Sequence, residues 1–122
     1  MLINFKQLKV CLAHFGSAWC WQKYIENPGD AGNWFVIIKD LLYKYTNLYT
    51  DISFTMYNHQ FFSLLKVMLA DEVLNKKILF GSDYYMVCTE TSENCFIVDL
   101  RAYLGEENFK VIAEDNPERF LV

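Results

Sequence analysis

Apolar positions along the chain fall into two alternating kinds of segment. "LKVCLAHF" (8–15) and "KKILFGSD" (76–83) carry short, nearly continuous apolar runs, the pattern of parallel strands buried on both faces. "NLYTDISF" (47–54) alternates instead, placing Leu48, Thr50, Ile52 and Phe54 on one face, and is rich in strand-forming residues. After each strand comes a helical period. In 33–45 the residues Trp34, Ile37, Ile38, Leu41, Leu42 and Tyr45 recur at three- and four-residue steps, with Asn33 placed as N-cap. Phe61, Leu64, Leu65 and Met68 make a similar stripe in 59–69. Phe96, Ile97, Leu100 and Leu104 do so in 92–105, where Ser92 is placed to cap the helix and Gly105 to close it in a left-handed turn.

Beyond Gly105 the pattern predicts a short helix carrying Phe109 and Ile112, then a second start at Asn116 with Pro117 in its first position. The segment 16–32 reads as a long loop broken by Pro28, Gly29 and Gly32 and bearing Trp19 and Trp21. The polar residues that close the strand segments, His14, Asp51 and Asp83, recur at intervals of roughly 30 residues or more, which a strand, a crossover helix and a return require. The sequence thus predicts an α/β fold with three consecutive βα units and parallel strands. Ligands of such sheets bind beyond the carboxyl ends of the strands, where these three residues fall.

Size and charge narrow the possible partners. At 122 residues and 53% hydrophobic content the chain suits one domain, 1–122, with a single core. Its net charge of −4 argues against a nucleic-acid partner, which calls for a basic surface. No apolar run reaches the roughly 18 to 20 residues of a membrane span, and Lys6, Lys9 and His14 interrupt the N-terminal stretch. Cys11, Cys20, Cys88 and Cys95 show no paired C-x-x-C spacing, so reduced thiols and a cytoplasmic location are expected.

An imidazole and a carboxylate converging at one strand mouth, His14 and Asp83, are common ligands of zinc or a similar divalent ion, and either can handle protons. The structural alternatives are a backbone-bonded histidine at His14, a turn or capping carboxylate at Asp83 and an Asx-turn at Asp51. His59, with no H-E-x-x-H pattern, reads as a surface or capping residue, and the cysteines as packing. Trp19, Trp21 and Tyr84, the last beside Asp83, are the aromatic candidates for substrate contact.

"KVCLAHFG", "KYTNLYTDIS", "KILFGSDYY" and "AEDNPERFL" occur in that order and span nearly the whole chain. Together they resemble the C-terminal half of the amidohydrolase-related metal-dependent hydrolases. The resemblance implies part of a (β/α)₈ barrel, with 8–15, 47–54 and 76–83 as its sixth, seventh and eighth strands. It further implies that His14 holds or polarises the site, and that Asp83 binds the metal and moves a proton for the attacking water. The reaction implied is hydrolysis or decarboxylation of a small carboxylate-bearing or cyclic substrate.

The chain departs from that family in lacking an H-x-H pair and the first five strands, and in carrying Ser17 and Tyr85 where glycine and proline are usual. A full barrel takes about 250 residues, so this sequence corresponds to about half of one. An uncovered apolar inner face then calls for a missing N-terminal half or a second copy, and two ligands alone would hold a metal weakly. A non-catalytic half-barrel serving as an assembly module is the competing expectation.

Overall fold

In the computed structural model, which describes residues 4, 5 and 7–122, a parallel three-stranded sheet runs in the order β1 (Val10–Leu12), β2 (Leu48–Asp51), β3 (Ile78–Leu79). The register pairs Val10 with Leu48, Leu12 with Thr50, Thr50 with Ile78 and Asp51 with Leu79. All three strands lie where the apolar runs predict them and point the same way, but each is shorter than its run. Past β3 the ladder continues irregularly, the Phe54 N–H donating to the Ser82 carbonyl at 3.3 Å.

Helix α2 (Trp34–Lys44) begins as the stripe predicts, with the Asn33 side chain accepting from the Phe35 N–H at 3.0 Å. Its C-terminus is capped from outside the helix. The Lys77 ammonium, nearly buried at the start of β3, donates to the carbonyls of Leu42 and Tyr45, where a cation meets the negative end of the helix dipole. A short 3₁₀ turn, His59–Phe61, leads into α3 (Phe62–Leu69). A one-turn helix α4 (Tyr84–Val87) follows β3, and α5 (Glu93–Leu104) is capped by Ser92, whose hydroxyl accepts from the Cys95 N–H at 3.2 Å.

Three sequence expectations need correction. The segment 16–32 is not an open loop, because α1 (Ala18–Glu26) occupies its first half, and Pro28 and Gly29 mark only where that helix has already ended. Gly105 has φ 83° and ψ 159°, a glycine conformation with positive φ but extended ψ rather than the left-handed turn, and it joins α5 directly to α6 (Glu106–Lys110).

The third correction concerns the C-terminus, where no fresh helix starts at Asn116. From α6 the backbone stays helical through a π-turn, Val111–Asp115, into α7 (Asn116–Leu121). Pro117 accounts for the widening: it lacks an N–H for the preceding turn, and its ring would crowd the carbonyl four residues back in a regular helix.

That widened turn docks on the sheet. The carbonyls of Lys77 and Leu79 face β2, accepting from Thr50 N at 3.0 Å and Ile52 N at 3.2 Å, so the Ile78 carbonyl and the Phe80 N–H face the opposite edge. Both are satisfied from the C-terminal helix. Phe80 N donates to the Ile112 carbonyl at 2.8 Å, and the wholly buried Asn116 amide donates to the Ile78 carbonyl at 2.7 Å and to that of Asn75 at 2.6 Å.

One face of the sheet packs on an apolar core that includes Leu42, Leu48, Ile52, Leu65 and Ile78, none more than 1% exposed. Aromatic rings extend it, with Trp21 at 5.5 Å from Phe15, 5.0 Å from Phe35 and 5.8 Å from Phe61. On the other face Tyr49 meets Phe120 of α7 edge-to-face at 5.2 Å, and Lys9 Nζ donates to the Arg119 carbonyl at 2.5 Å. The C-terminal helix therefore covers part of the face that the sequence left bare, and Tyr49 and Leu79 are each only 8% exposed.

Candidate functional site at the carboxyl ends of the strands

β1 ends in a tight turn, Ala13–Gly16, whose central residues take left-handed backbone angles: His14 at φ 61°, ψ 11° and Phe15 at φ 45°, ψ 42°. Non-glycine residues adopt these angles at a cost, so the surroundings must impose them. Here the His14 N–H donates to Asp51 Oδ1 at 3.1 Å, and the His14 carbonyl accepts from Ser17 N at 3.2 Å and Thr55 Oγ1 at 3.3 Å. The Phe15 ring is buried against Phe35, and its carbonyl accepts from Trp21 Nε1 at 3.2 Å. Gly16 closes the turn at φ 95°, where an added Cβ would lie 3.4 Å from both Cys20 Cβ and Phe35 N.

Asp51, the last residue of β2, organises the mouth. Its Oδ1 accepts from the N–H groups of His14 and Ser53, the latter at 3.0 Å in an Asx-turn, and from the Ser53 hydroxyl. The Cys11 thiol points at its other oxygen, Sγ to Oδ2 3.7 Å. Burial, then the charge and hydrogen bond of Asp51, push that thiol up to about 12 from its ordinary value near 9, so Cys11 stays protonated near neutrality.

The imidazole of His14 is held on one nitrogen. Nδ1 lies 2.9 Å from Ser53 Oγ and 3.2 Å from the Ser53 carbonyl, while Asp51 Oδ1 is 3.8 Å away. The side chain is 45% exposed, and Nε2 has no partner among the described residues. Gly81 lets β3 close on this corner, since a Cβ there would sit 3.3 Å from Ser53 Cβ.

Asp83 follows β3 with left-handed backbone angles, φ 54° and ψ 61°, at the start of α4. Its carboxylate does not cap that helix, and the side chain is partly exposed. The parallel sheet carries His14 and Asp83 to the same end, with β2 lying between their strands. Beside Asp83, Ser82 Oγ donates to Glu93 Oε1 at 2.5 Å and ties this loop to the first turn of α5.

The aromatic candidates separate. Tyr84 is 53% exposed next to Asp83, with Tyr85 edge-to-face at 5.4 Å. Trp19 projects from α1 with Lys23 Nζ 4.0 Å above its ring. Trp21 has no exposed surface: it belongs to the aromatic core and has none to offer a substrate, contrary to its expected role. His59, expected at the surface, pairs with Asp99 at 3.2 Å and stacks on Phe62, away from the strand mouth.

Ser53, which contacts the His14 ring, was not singled out by the sequence. Its only signal was the D-x-S spacing after a strand, which turns with no function share.

Among the described residues no group of three or more His, Cys, Asp or Glu is placed to hold a metal ion. His14 and Asp83 do not by themselves make a metal centre. The four cysteines are unpaired, and no helix is long and apolar enough to cross a membrane among the described residues. Against known families, residues 1–121 match a model described as Amidohydrolase. No curated protein and no solved structure matches the chain.

Proposed function

The chain belongs to the amidohydrolase family, and from that premise we propose that it forms the C-terminal half of a hydrolase site and contributes His14 and Asp83 to it. On this reading β1, β2 and β3 correspond to the sixth, seventh and eighth strands of a (β/α)₈ barrel. The reaction is hydrolysis or decarboxylation of a small carboxylate-bearing or cyclic substrate. The observation that carries it is the parallel sheet, which brings a histidine with a free ring nitrogen and an uncapped aspartate to one end. In such a site His14 accepts or orients a proton through Nε2, and Asp83 accepts one from the attacking water. Tyr84, exposed beside Asp83, and Trp19, exposed on α1, are its proposed substrate contacts. A family metal, zinc by its usual ligand chemistry, finds only part of a ligand set here and needs residues from outside the chain.

Completion by an N-terminal half or by a second copy is part of the proposal, and so is a cytoplasmic location, in keeping with unpaired thiols. The experiment is metal analysis and hydrolase assay of this chain alone and of the gene product that includes any upstream barrel strands. The chain alone should bind little zinc, and the completed protein should bind it stoichiometrically and lose activity on Asp83→Asn. Equal metal content in a completed His14→Ala, Asp83→Ala double variant would refute the assignment.

A specific observation favours a second reading, a non-catalytic assembly module. The C-terminal helix covers part of the inner face and seals the β3 edge, so the chain supplies some of its own closure. Light scattering after size-exclusion chromatography separates the two readings: a defined dimer without metal or activity supports the module.

A further inference from the structure

The contacts around His14 determine which ring nitrogen carries its proton. Asp51 Oδ1 accepts from two backbone N–H groups, and the Ser53 hydroxyl lies within bonding distance of it. A hydroxyl has one proton to give, and a carboxylate oxygen takes it, so toward the ring Ser53 Oγ has only lone pairs to offer. The Ser53 carbonyl, also facing Nδ1 at 3.2 Å, can only accept. Two acceptors therefore converge on one nitrogen. The direct Nδ1 to Asp51 distance of 3.8 Å is too long for a hydrogen bond, so the carboxylate acts on the ring only through the serine.

We infer that Ser53, oriented by Asp51, is a positioning residue that fixes neutral His14 in the Nδ1–H tautomer, so that Nε2, with its lone pair left free, is the nitrogen that meets the substrate. The chain of donors runs from Nδ1–H to Ser53 Oγ and from Ser53 O–H to Asp51. It gives a second-layer role to two β2-end residues that the family match does not itself assign. This deepens the proposed function and rests on it for the word substrate, but the tautomer itself does not depend on any activity. Fixing it matters chemically, because a ring free to flip or to place its proton on Nε2 would offer a donor where an acceptor is needed.

The test is multiple-bond ¹H–¹⁵N NMR of the whole chain labelled at histidine, recorded on the neutral rings, with His59→Gln assigning the two signals. Free imidazole side chains favour Nε2–H, so the inference predicts a reversal at His14. The Nδ1–H form should become the major one, because one hydrogen bond near the top of its usual net worth shifts the ratio by about tenfold against that intrinsic preference. Ser53→Ala should bring the ratio back toward parity, and Ser53→Thr, which keeps the hydroxyl, should restore it. Circular dichroism checks that the variants fold, and if Ser53→Ala does not, the wild-type spectrum alone decides. A predominance of Nε2–H in the wild type, or an unchanged spectrum in folded Ser53→Ala, would overturn the inference. A completed enzyme that is inactive while His14 stays Nδ1–H would instead count against the hydrolase reading.

Discussion

Replacing Asn116 with alanine should destabilise the fold by about 2–4 kcal/mol, because it leaves buried acceptors without donors. The Asn116 side chain is wholly buried and makes three hydrogen bonds: Nδ2 to the Asn75 carbonyl at 2.6 Å and to the Ile78 carbonyl at 2.7 Å, and Oδ1 from Arg119 Nη1 at 2.8 Å. The Arg119 contact counts little, since that guanidinium can turn to water. The Ile78 carbonyl is buried and cannot, the Asn75 carbonyl is only partly buried, and a buried polar group left unsatisfied costs about 1–3 kcal/mol. One such cost at Ile78, a smaller one at Asn75 and a modest cavity contribution together give the stated loss. Asn116→Asp should be at least as damaging, because a carboxylate presents no donor to those carbonyls, whereas Arg119→Ala should cost under about 1 kcal/mol. The assay is urea unfolding followed by the fluorescence of buried Trp21, read as a midpoint shift at constant slope. A loss below about 0.5 kcal/mol for Asn116→Ala, with Arg119→Ala equal to it, would refute the idea that this amide secures the helix to β3.

Two further outcomes follow from the ionisable groups. With its thiol pushed up to about 12, mainly by burial, and half-hidden from solvent, Cys11 should react with a thiol reagent at pH 8 at least about tenfold more slowly than exposed Cys95. Asp51→Asn should recover only part of that difference, and mass-resolved labelling that finds equal rates would contradict the burial argument. Tyr43 donates to Asp71 Oδ2 at 2.7 Å; that hydrogen bond first, then burial, raises the phenol to about 12, and the same hydrogen bond, with the Leu74 N–H, holds Asp71 below its usual range. The folded state thus keeps a proton that the unfolded state releases. Its contribution is complete below the ordinary tyrosine pKa near 10 and is lost as the pH climbs from there to about 12. Because the pair is exposed, the effect should stay under about 1 kcal/mol. Tyr43→Phe should flatten the alkaline limb of a denaturation-midpoint curve, and an unchanged limb would dismiss the coupling.

The strands and the caps at Asn33 and Ser92 were legible in the sequence because both are local: a run of apolar residues, or a polar residue ahead of a stripe. What was missed depends on distant partners. Cys20, Trp21 and Tyr24 do recur at helical steps in 16–32, but Pro28 and the glycines drew the whole segment into a loop. Trp21 is a core residue only because Phe35 and Phe61 arrive from later elements. Asp51 reads as an Asx-turn, and it is one. That the same oxygen also holds the His14 backbone depends on a pairing across 37 residues. Likewise Pro117 announces a helix start in sequence, yet the structure absorbs it as a π-turn because the freed Ile112 carbonyl finds Phe80.

That last contact governs how copies of the chain can join. Growth of a sheet from molecule to molecule requires each unit to present two receptive borders, one to accept and one to extend. Here one border is consumed internally by the Ile112 carbonyl and the Asn116 amide, and among the described residues β1 alone keeps a flank without a backbone partner. Association through β-pairing must then stop at a two-fold pair and cannot propagate into a filament while the C-terminal helix keeps its place.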